Sequence, residues 1–234
     1  MNGRSVVILV PVLGRPGHAQ PFVNSLRTAG SDMRDVGLHV VANERDDAET
    51  AAAWAAAGVA VFDVGPQAVS FPAKVNAGVA RLRDDALATH VVVVGDDVRF
   101  RGGWLDQALA EHTETGRQVI GLNDLGRSSS ISATHWLVDL AYLDEPATWT
   151  DPAGVLLHEG YGHNWCDAEL AAVAKTRGQW GYAPASVVEH MHHLFGRAAV
   201  DATYERGTAT LWQDRELWEH RLATYGGDRA PASA

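Results

Sequence analysis

Asp96 and Asp97 follow the valine-rich run 90–94, with Gly95 between. Two adjacent carboxylates at the end of a buried strand repel each other and are costly to strip of water. A hard cation bridging to phosphate oxygens would resolve both difficulties. The competing reading is a solvated acidic turn. His190, His192 and His193 fall within four residues, after a strand-like stretch at 186–188. Neutral imidazole is a good ligand for a transition metal, and alternation would put His190 and His192 on one face. A polar loop accounts for them equally, because the chain has eleven histidines. Lys74 and Asn76 start a helical pattern opened by Pro72, and a helix N-terminus with a lysine suits a diphosphate. A surface lysine is the ordinary alternative. Asp167 opens another helical segment, where capping alone would explain it.

These residues need a scaffold, and the first 125 residues supply one by alternating strand-like and helix-like segments. Strands are expected at 5–10, 38–42, 59–64, 90–94 and 118–122. Helices are expected up to Gly30, over 48–57 and 72–83, and after Gly102 and Gly103. That order is the signature of βαβ units and a largely parallel sheet. Beyond Asn123 the pattern loosens, with strands at 131–138 and 182–190 and helices at 164–177 and 200–225. Open parallel sheets bind ligands beyond the carboxyl ends of their strands. The loops 11–16, 43–47 and 95–99 are therefore the places for chemistry.

Composition narrows the possibilities. The 234 residues are 46% hydrophobic and 21% charged, which suits one α/β domain. We read residues 1–225 as that domain, with two halves at 1–125 and 126–225, and 226–234 as a flexible tail. No run approaches the roughly 20 apolar residues of a membrane span. The short apolar N-terminal stretch ends in Pro-Val-Leu-Gly-Arg-Pro and reads as a strand and turn, not a secretion signal. A single cysteine, Cys166, fits a reducing compartment, so a cytoplasmic location is expected. The net charge of −10 argues against non-specific adhesion to nucleic acid, although Arg197, Arg206, Arg215 and Arg221 offer a local basic strip. No Walker-type loop, dinucleotide fingerprint or nucleophile elbow occurs.

Taken in order, the motifs resemble the family-two glycosyltransferases of GT-A fold. Val6-Val7-Ile8-Leu9-Val10-Pro11-Val12-Leu13-Gly14-Arg15-Pro16 looks like the first strand and nucleotide loop. Residues 71–81 look like the family's Asn-x-Gly stretch, and 92–98 like the strand ending in its Asp-x-Asp metal motif. Cys166-Asp167-Ala168-Glu169-Leu170 is similar to the motif whose aspartate is the catalytic base. Val187-Val188-Glu189-His190 resembles the late strand whose histidine completes the metal site. A narrower likeness, to small phage-encoded members, rests on Gly95-Asp96-Asp97-Val98, residues 121–125, His163-Asn164 and Val188-Glu189-His190.

The resemblance implies a Rossmann-related, mostly parallel central sheet with helices on both faces. It also implies a nucleotide-sugar donor, with uridine the expected base, and a divalent cation, Mn2+ or Mg2+. Asp97 would bind the metal with His190 or His192. Pro11, Val12, Arg15, Asn43, Lys74, Asn76 and Asp96 would face the donor. Asp167 would be the base of an inverting transfer. Tyr161, His163, Asn164 and Trp165 would shape the acceptor site, with the two aromatic rings as stacking surfaces. The acceptor hydroxyl could belong to a hydroxymethylated pyrimidine in phage DNA, a protein or a glycan.

There are departures from the family pattern. Asn43-Glu44-Arg45-Asp46-Asp47 replaces the aspartate-rich motif after strand two, and Gly95 stands where an acid is usual. Cys166 replaces the acid before the base, which should make Asp167 easier to ionise. A nucleotidyltransferase and a non-catalytic nucleotide- or glycan-binding module are the rival readings.

Overall fold

The computed structural model describes residues 6–30 and 36–226. The strands are β1 (Val6–Pro11), β2 (Val36–Ala42), β3 (Ala60–Asp63), β4 (His90–Val93), β5 (Val98–Phe100), β6 (Val119–Asn123), β7 (Trp136–Asp139) and β8 (Trp180–His190). The α-helices are α1 (Ala19–Thr28), α2 (Glu44–Ala56), α3 (Phe71–Asp84), α4 (Trp104–Thr115), α5 (Cys166–Thr176), α6 (Ala202–Ala209) and α7 (Leu211–Tyr225). The strands form one sheet in the order β3-β2-β1-β4-β7-β6-β8-β5.

β1 to β4 pair in parallel, as the strand–helix alternation requires. β7 is antiparallel to both β4 and β6, β8 is parallel to β6, and β5 is antiparallel to β8. The sheet is therefore mixed. β6 and β7 follow each other without a crossover helix, and that connection favours an antiparallel pair.

The unbroken apolar strands supply a core on both faces of the sheet. Ile8, Val10 and Val92 pack with Phe22, Leu26, Trp54 and Trp104 on one side. Val7, Leu9, Val91 and Val93 pack with Val75, Leu82, Trp136 and Tyr142 on the other. α3 sits very close to the sheet: a Cβ on Gly78 would lie 2.8 Å from side-chain carbons of Leu9 and Val41.

Three expected elements differ. The strand expected at 131–138 shrinks to β7, and Ile131 is 73% exposed. α5 starts at Cys166 rather than 164, because Trp165 has φ +67° and so cannot be helical. The helix expected over 200–225 is two helices meeting at Thr210, whose hydroxyl donates to Asp214 at 2.9 Å. The break lets α6 turn over the carboxyl ends of β1 and β4 while α7 packs along α5. The tail expected to be flexible lies, from 227 on, outside the described residues.

Candidate active site

A cleft of about 980 Å³ opens at the carboxyl ends of β1 and β4. Pro11, Val12 and Arg15 line it from the β1 loop, and Asp96 and Asp97 from the β4 loop. Lys74 reaches it from the first turn of α3, where its Nζ donates to the Val12 carbonyl at 2.6 Å. The Ser70 side chain caps α3 at the Ala73 amide, which fixes that first turn.

The acidic pair is buried and held by one arginine. Arg15 donates to Asp96 at 3.0 Å and to Asp97 at 3.3 Å. The same guanidinium donates to Asp201 at 2.8 and 3.0 Å and stacks on the Tyr204 ring at 3.9 Å. Burial alone would lower the Arg15 pKa, but the hydrogen bond to Asp201 and the charges of Asp96 and Asp97 outweigh it and raise it.

Asp97 is more fully engaged than Asp96. Its Oδ2 accepts from the Tyr204 hydroxyl at 2.7 Å, and its Oδ1 lies 3.2 Å from His190 Nε2. Burial would push its pKa up, but His190, Tyr204 and Arg15 outweigh that and hold it well below the usual carboxylate range. Gly95 has a local reason here, because a Cβ at that position would sit 2.8 Å from Asp97 Oδ1.

His190 ends β8, and the rings of His135, His192 and Phe195 gather around it. The His135 and His192 rings each lie 4.9 Å from it, and His192 packs on Tyr204 at 4.4 Å. His193 stacks on His192 at 4.2 Å, so the expected separation of faces is lost where the strand ends and a 3-10 turn begins. The His192 side chain accepts from the Leu194 amide and caps that turn. Burial and the neighbouring His190 charge bring the His192 pKa down to about 4. His135 is 3% exposed, and neither of its ring nitrogens has a hydrogen-bond partner in the protein; nor does His190 Nδ1. Burial, with the His190 charge, lowers the His135 pKa to about 3.

The first turn of α5 also lines the cleft. Two residues on a helix are about 200° apart, so Asp167 and Glu169 face opposite ways. Asp167 lines the cleft. Glu169 is buried, accepting from Tyr161 at 2.9 Å and from Arg221 at 2.6 and 2.8 Å. Asp167 nevertheless resists ionisation. Burial pushes the Asp167 pKa up to about 6, against the opposing pull of the Ala168 and Asp167 amides and Arg127.

Asp214, on α7, fixes the approach to α5 by accepting from the successive amides of Gly162, His163 and Asn164 at 2.7, 3.0 and 2.8 Å. His163, Asn164 and Trp165 line the cleft, but the Asn164 amide donates to the Gly207 carbonyl and so anchors α6. Tyr161 does not belong to the cleft. It is 1% exposed, with its hydroxyl spent on Glu169, and cannot be a stacking surface. Asn76 also lies outside, its amide bridging Leu156, Leu157 and Glu159. Asn43 is buried before α2 and does not line the cleft. The Asp47 carboxylate, in the first turn of α2, accepts from the Gly14 amide and ties that helix to the loop after β1.

The expected basic strip does not form. Arg221 is buried on Glu169, Arg215 pairs with Glu219, and Arg197 binds the carbonyls of Asp124, Leu125 and His190. Only Arg206 of the four lines the cleft. Sequence reasoning missed Tyr204, Asp201, His135 and Arg127. Nothing in the local pattern marks the first three, because each gains its role from a partner far along the chain.

No protein-family model matches the chain, and no curated protein matches it in sequence. Solved structures do match. Glucosyl-3-phosphoglycerate synthase from Mycobacterium tuberculosis, in complex with Mn2+, UDP-glucose and phosphoglyceric acid, is similar over 94% of this chain and 80% of that one. The TM-score is 0.63 and the identity 13%. The same enzyme with Mn2+, UDP and glucosyl-3-phosphoglycerate matches at TM-score 0.63 and 14% identity, covering 99% of this chain and 82% of that one. A structure described as a mycobacterial protein matches at TM-score 0.63 and 15% identity, over 99% and 77% of the two chains. The chain has the GT-A fold. These matches lend nothing to the likeness with phage-encoded members. No helix among the described residues is long and apolar enough to cross a membrane.

Proposed function

We propose that this protein transfers a sugar from a nucleoside diphosphate, uridine diphosphate in the first instance, to an acceptor hydroxyl with the help of a divalent cation. One observation carries the reading. On a GT-A fold, a buried acidic pair, His190 and the helix-opening Asp167 line one and the same cleft. One matching solved structure carries UDP-glucose and Mn2+ and another UDP and Mn2+, which supports the donor class and the ion.

The residues present fit a cation. Asp97 offers carboxylate oxygens, and buried imidazole nitrogens of His190 and His135 lack protein partners. Asp97 and His190 would hold the ion, with His192 beside them, and its charge would offset that of the diphosphate. Arg15 and Lys74 would hold the nucleotide. Asp167 would take the proton from the acceptor hydroxyl while the acceptor oxygen bonds to the anomeric carbon and the bond to the diphosphate breaks. Reading Asp167 as a base towards the acceptor supports inversion, in which the acceptor oxygen attacks from the face opposite the diphosphate.

The acceptor is proposed to carry an anionic group. Arg127 and Arg206 line the mouth of the cleft, and the chain's net charge of −10 works against a polyanion as large as DNA. The test is thermal unfolding with nucleoside diphosphates and nucleotide sugars, with Mn2+ or chelator, followed by nucleoside diphosphate release over an acceptor panel. That panel should hold phosphoglyceric acid, neutral glycans, a peptide and hydroxymethylated DNA. A metal-dependent shift with one nucleotide and release with the anionic acceptor are expected. Pyrophosphate release would instead mark a nucleotidyltransferase, and binding without turnover a non-catalytic module. NMR of the product anomer reads inversion directly.

A further inference from the structure

A second constellation lies at the opposite end of β4 from the acidic pair. His90 opens β4 and is paired in register with Asp139, the last residue of antiparallel β7. His112, in the last turn of α4, comes down beside both. Its ring centroid lies 4.9 Å from that of His90, and its Nε2 lies 3.7 Å from Asp139 Oδ2. One ligand atom from each of the three residues falls within 4.8 Å of the other two.

The hydrogen bonds around the group fix which atoms face inward. His112 Nδ1 is 2.7 Å from the Arg117 carbonyl, which can only accept, so Nδ1 carries the proton. On a neutral ring, Nε2 then turns a lone pair towards Asp139. The other oxygen of Asp139, Oδ1, accepts from the Ala141 amide at 3.0 Å, which sets the carboxylate orientation and points Oδ2 at His112. His90 Nδ1 is held 2.9 Å from the Thr89 hydroxyl.

Two acceptors thus face each other at 3.7 Å, too far for a hydrogen bond and unfavourable without positive charge between them. A zinc ion with ligand bonds of about 2.0–2.1 Å spans such a gap at a ligand–metal–ligand angle of about 130°. An imidazole that donates its other N–H to a backbone carbonyl is oriented as metal-bound histidines usually are.

We propose that His90, His112 and Asp139 form a metal site separate from the cleft, for zinc or a similar borderline divalent ion. Two imidazoles and one carboxylate suit such an ion better than Mg2+ or Ca2+, which prefer all-oxygen sites. Water completes the coordination. The ion staples β4, β7 and the C-terminal turn of α4, three elements that no short-range contact in sequence holds together.

The experiment uses the whole chain, stripped with chelator and titrated with zinc against a chromophoric chelator, with thermal unfolding in parallel. The variants are His112→Gln and Asp139→Asn; both side chains are partly exposed, and the asparagine keeps an acceptor for the Ala141 amide. Asp97→Asn serves as the control for zinc bound in the cleft. The expected result is one fewer zinc equivalent in His112→Gln and Asp139→Asn than in the wild type, with that equivalent retained by Asp97→Asn. Metal-free melting points of all four proteins show whether each variant is folded. Equal zinc stoichiometry in wild type and His112→Gln, or no zinc bound by the wild type, would overturn the proposal and leave a His112–Asp139 ion pair.

Discussion

The Tyr204 hydroxyl donates to Asp97 Oδ2 at 2.7 Å across 107 residues of sequence, joining α6 to the end of β4. Tyr204 also stacks beneath Arg15, which bonds the same carboxylate. α6 is therefore latched onto the candidate metal ligand itself. In the proposed function a cation at Asp97 takes over part of what Tyr204 and Arg15 now supply.

Tyr204→Phe removes one charge-assisted hydrogen bond and leaves the ring packing in place. Such bonds contribute about 1.5–3 kcal/mol. The variant should lose stability of that order without metal, and the deficit should shrink when Mn2+ and UDP are added. Thermal unfolding under both conditions checks this. An equal deficit in each would mean that Asp97 keeps Tyr204 when ligands bind.

Asp167→Asn separates a catalytic carboxylate from a structural one. Burial raises the Asp167 pKa to about 6, so the folded protein binds that proton more tightly than the unfolded chain does. Its ionisation destabilises the fold as pH rises from about 4 to about 6. The asparagine variant should thus be more stable at pH 7.5, by roughly 1–3 kcal/mol, while losing nearly all transfer. Wild-type turnover should fall below about pH 6 as the base is protonated. Undiminished turnover in the variant would remove Asp167 from the mechanism.

Gly95→Ala tests the glycine that stands ahead of the acidic pair. The added Cβ meets Asp97 Oδ1 at 2.8 Å, so the carboxylate must turn away from His190. The Mn2+-dependent stabilisation by nucleotide should drop about tenfold in apparent affinity, a change of roughly 1.4 kcal/mol. Gly95→Asp should do no better, although it adds an acid. Calorimetric titration of each variant decides the point.

What was legible in the sequence follows from the range of the interactions. β1 to β4 and their helices declare themselves through local apolar runs, glycine stops and Pro72. Asp96, Asp97, Arg15, Lys74 and Asp167 were legible for the same reason, since strand ends and helix starts place them. Tyr161 was misplaced because an aromatic beside glycines looks the same whether it faces solvent or Glu169. The break at Thr210 was hidden because residues 200–225 keep a helical composition throughout. Only the pull of Asp214 towards the 162–164 amides explains why α6 and α7 part. His135 sits in a loop of polar and small residues, and the His190 ring of β8 that packs on it lies in no local window.

Asp214→Asn bears on that last relationship. Three backbone amides and the Thr210 hydroxyl converge on the Asp214 carboxylate. Burial would raise its pKa, but those donors outweigh it and lower it. A carboxylate with a lowered folded pKa adds stability above about pH 4, and that contribution fades as pH falls further. The asparagine variant keeps one acceptor oxygen and loses the charge. It should be less stable than wild type by about 2 kcal/mol at pH 7, with a smaller gap at pH 3. Urea unfolding at the two pH values measures it. Because the anchored loop leads directly into Asp167, the variant should also lose turnover more than donor affinity, whereas equal losses in both would place the loop's role in folding alone.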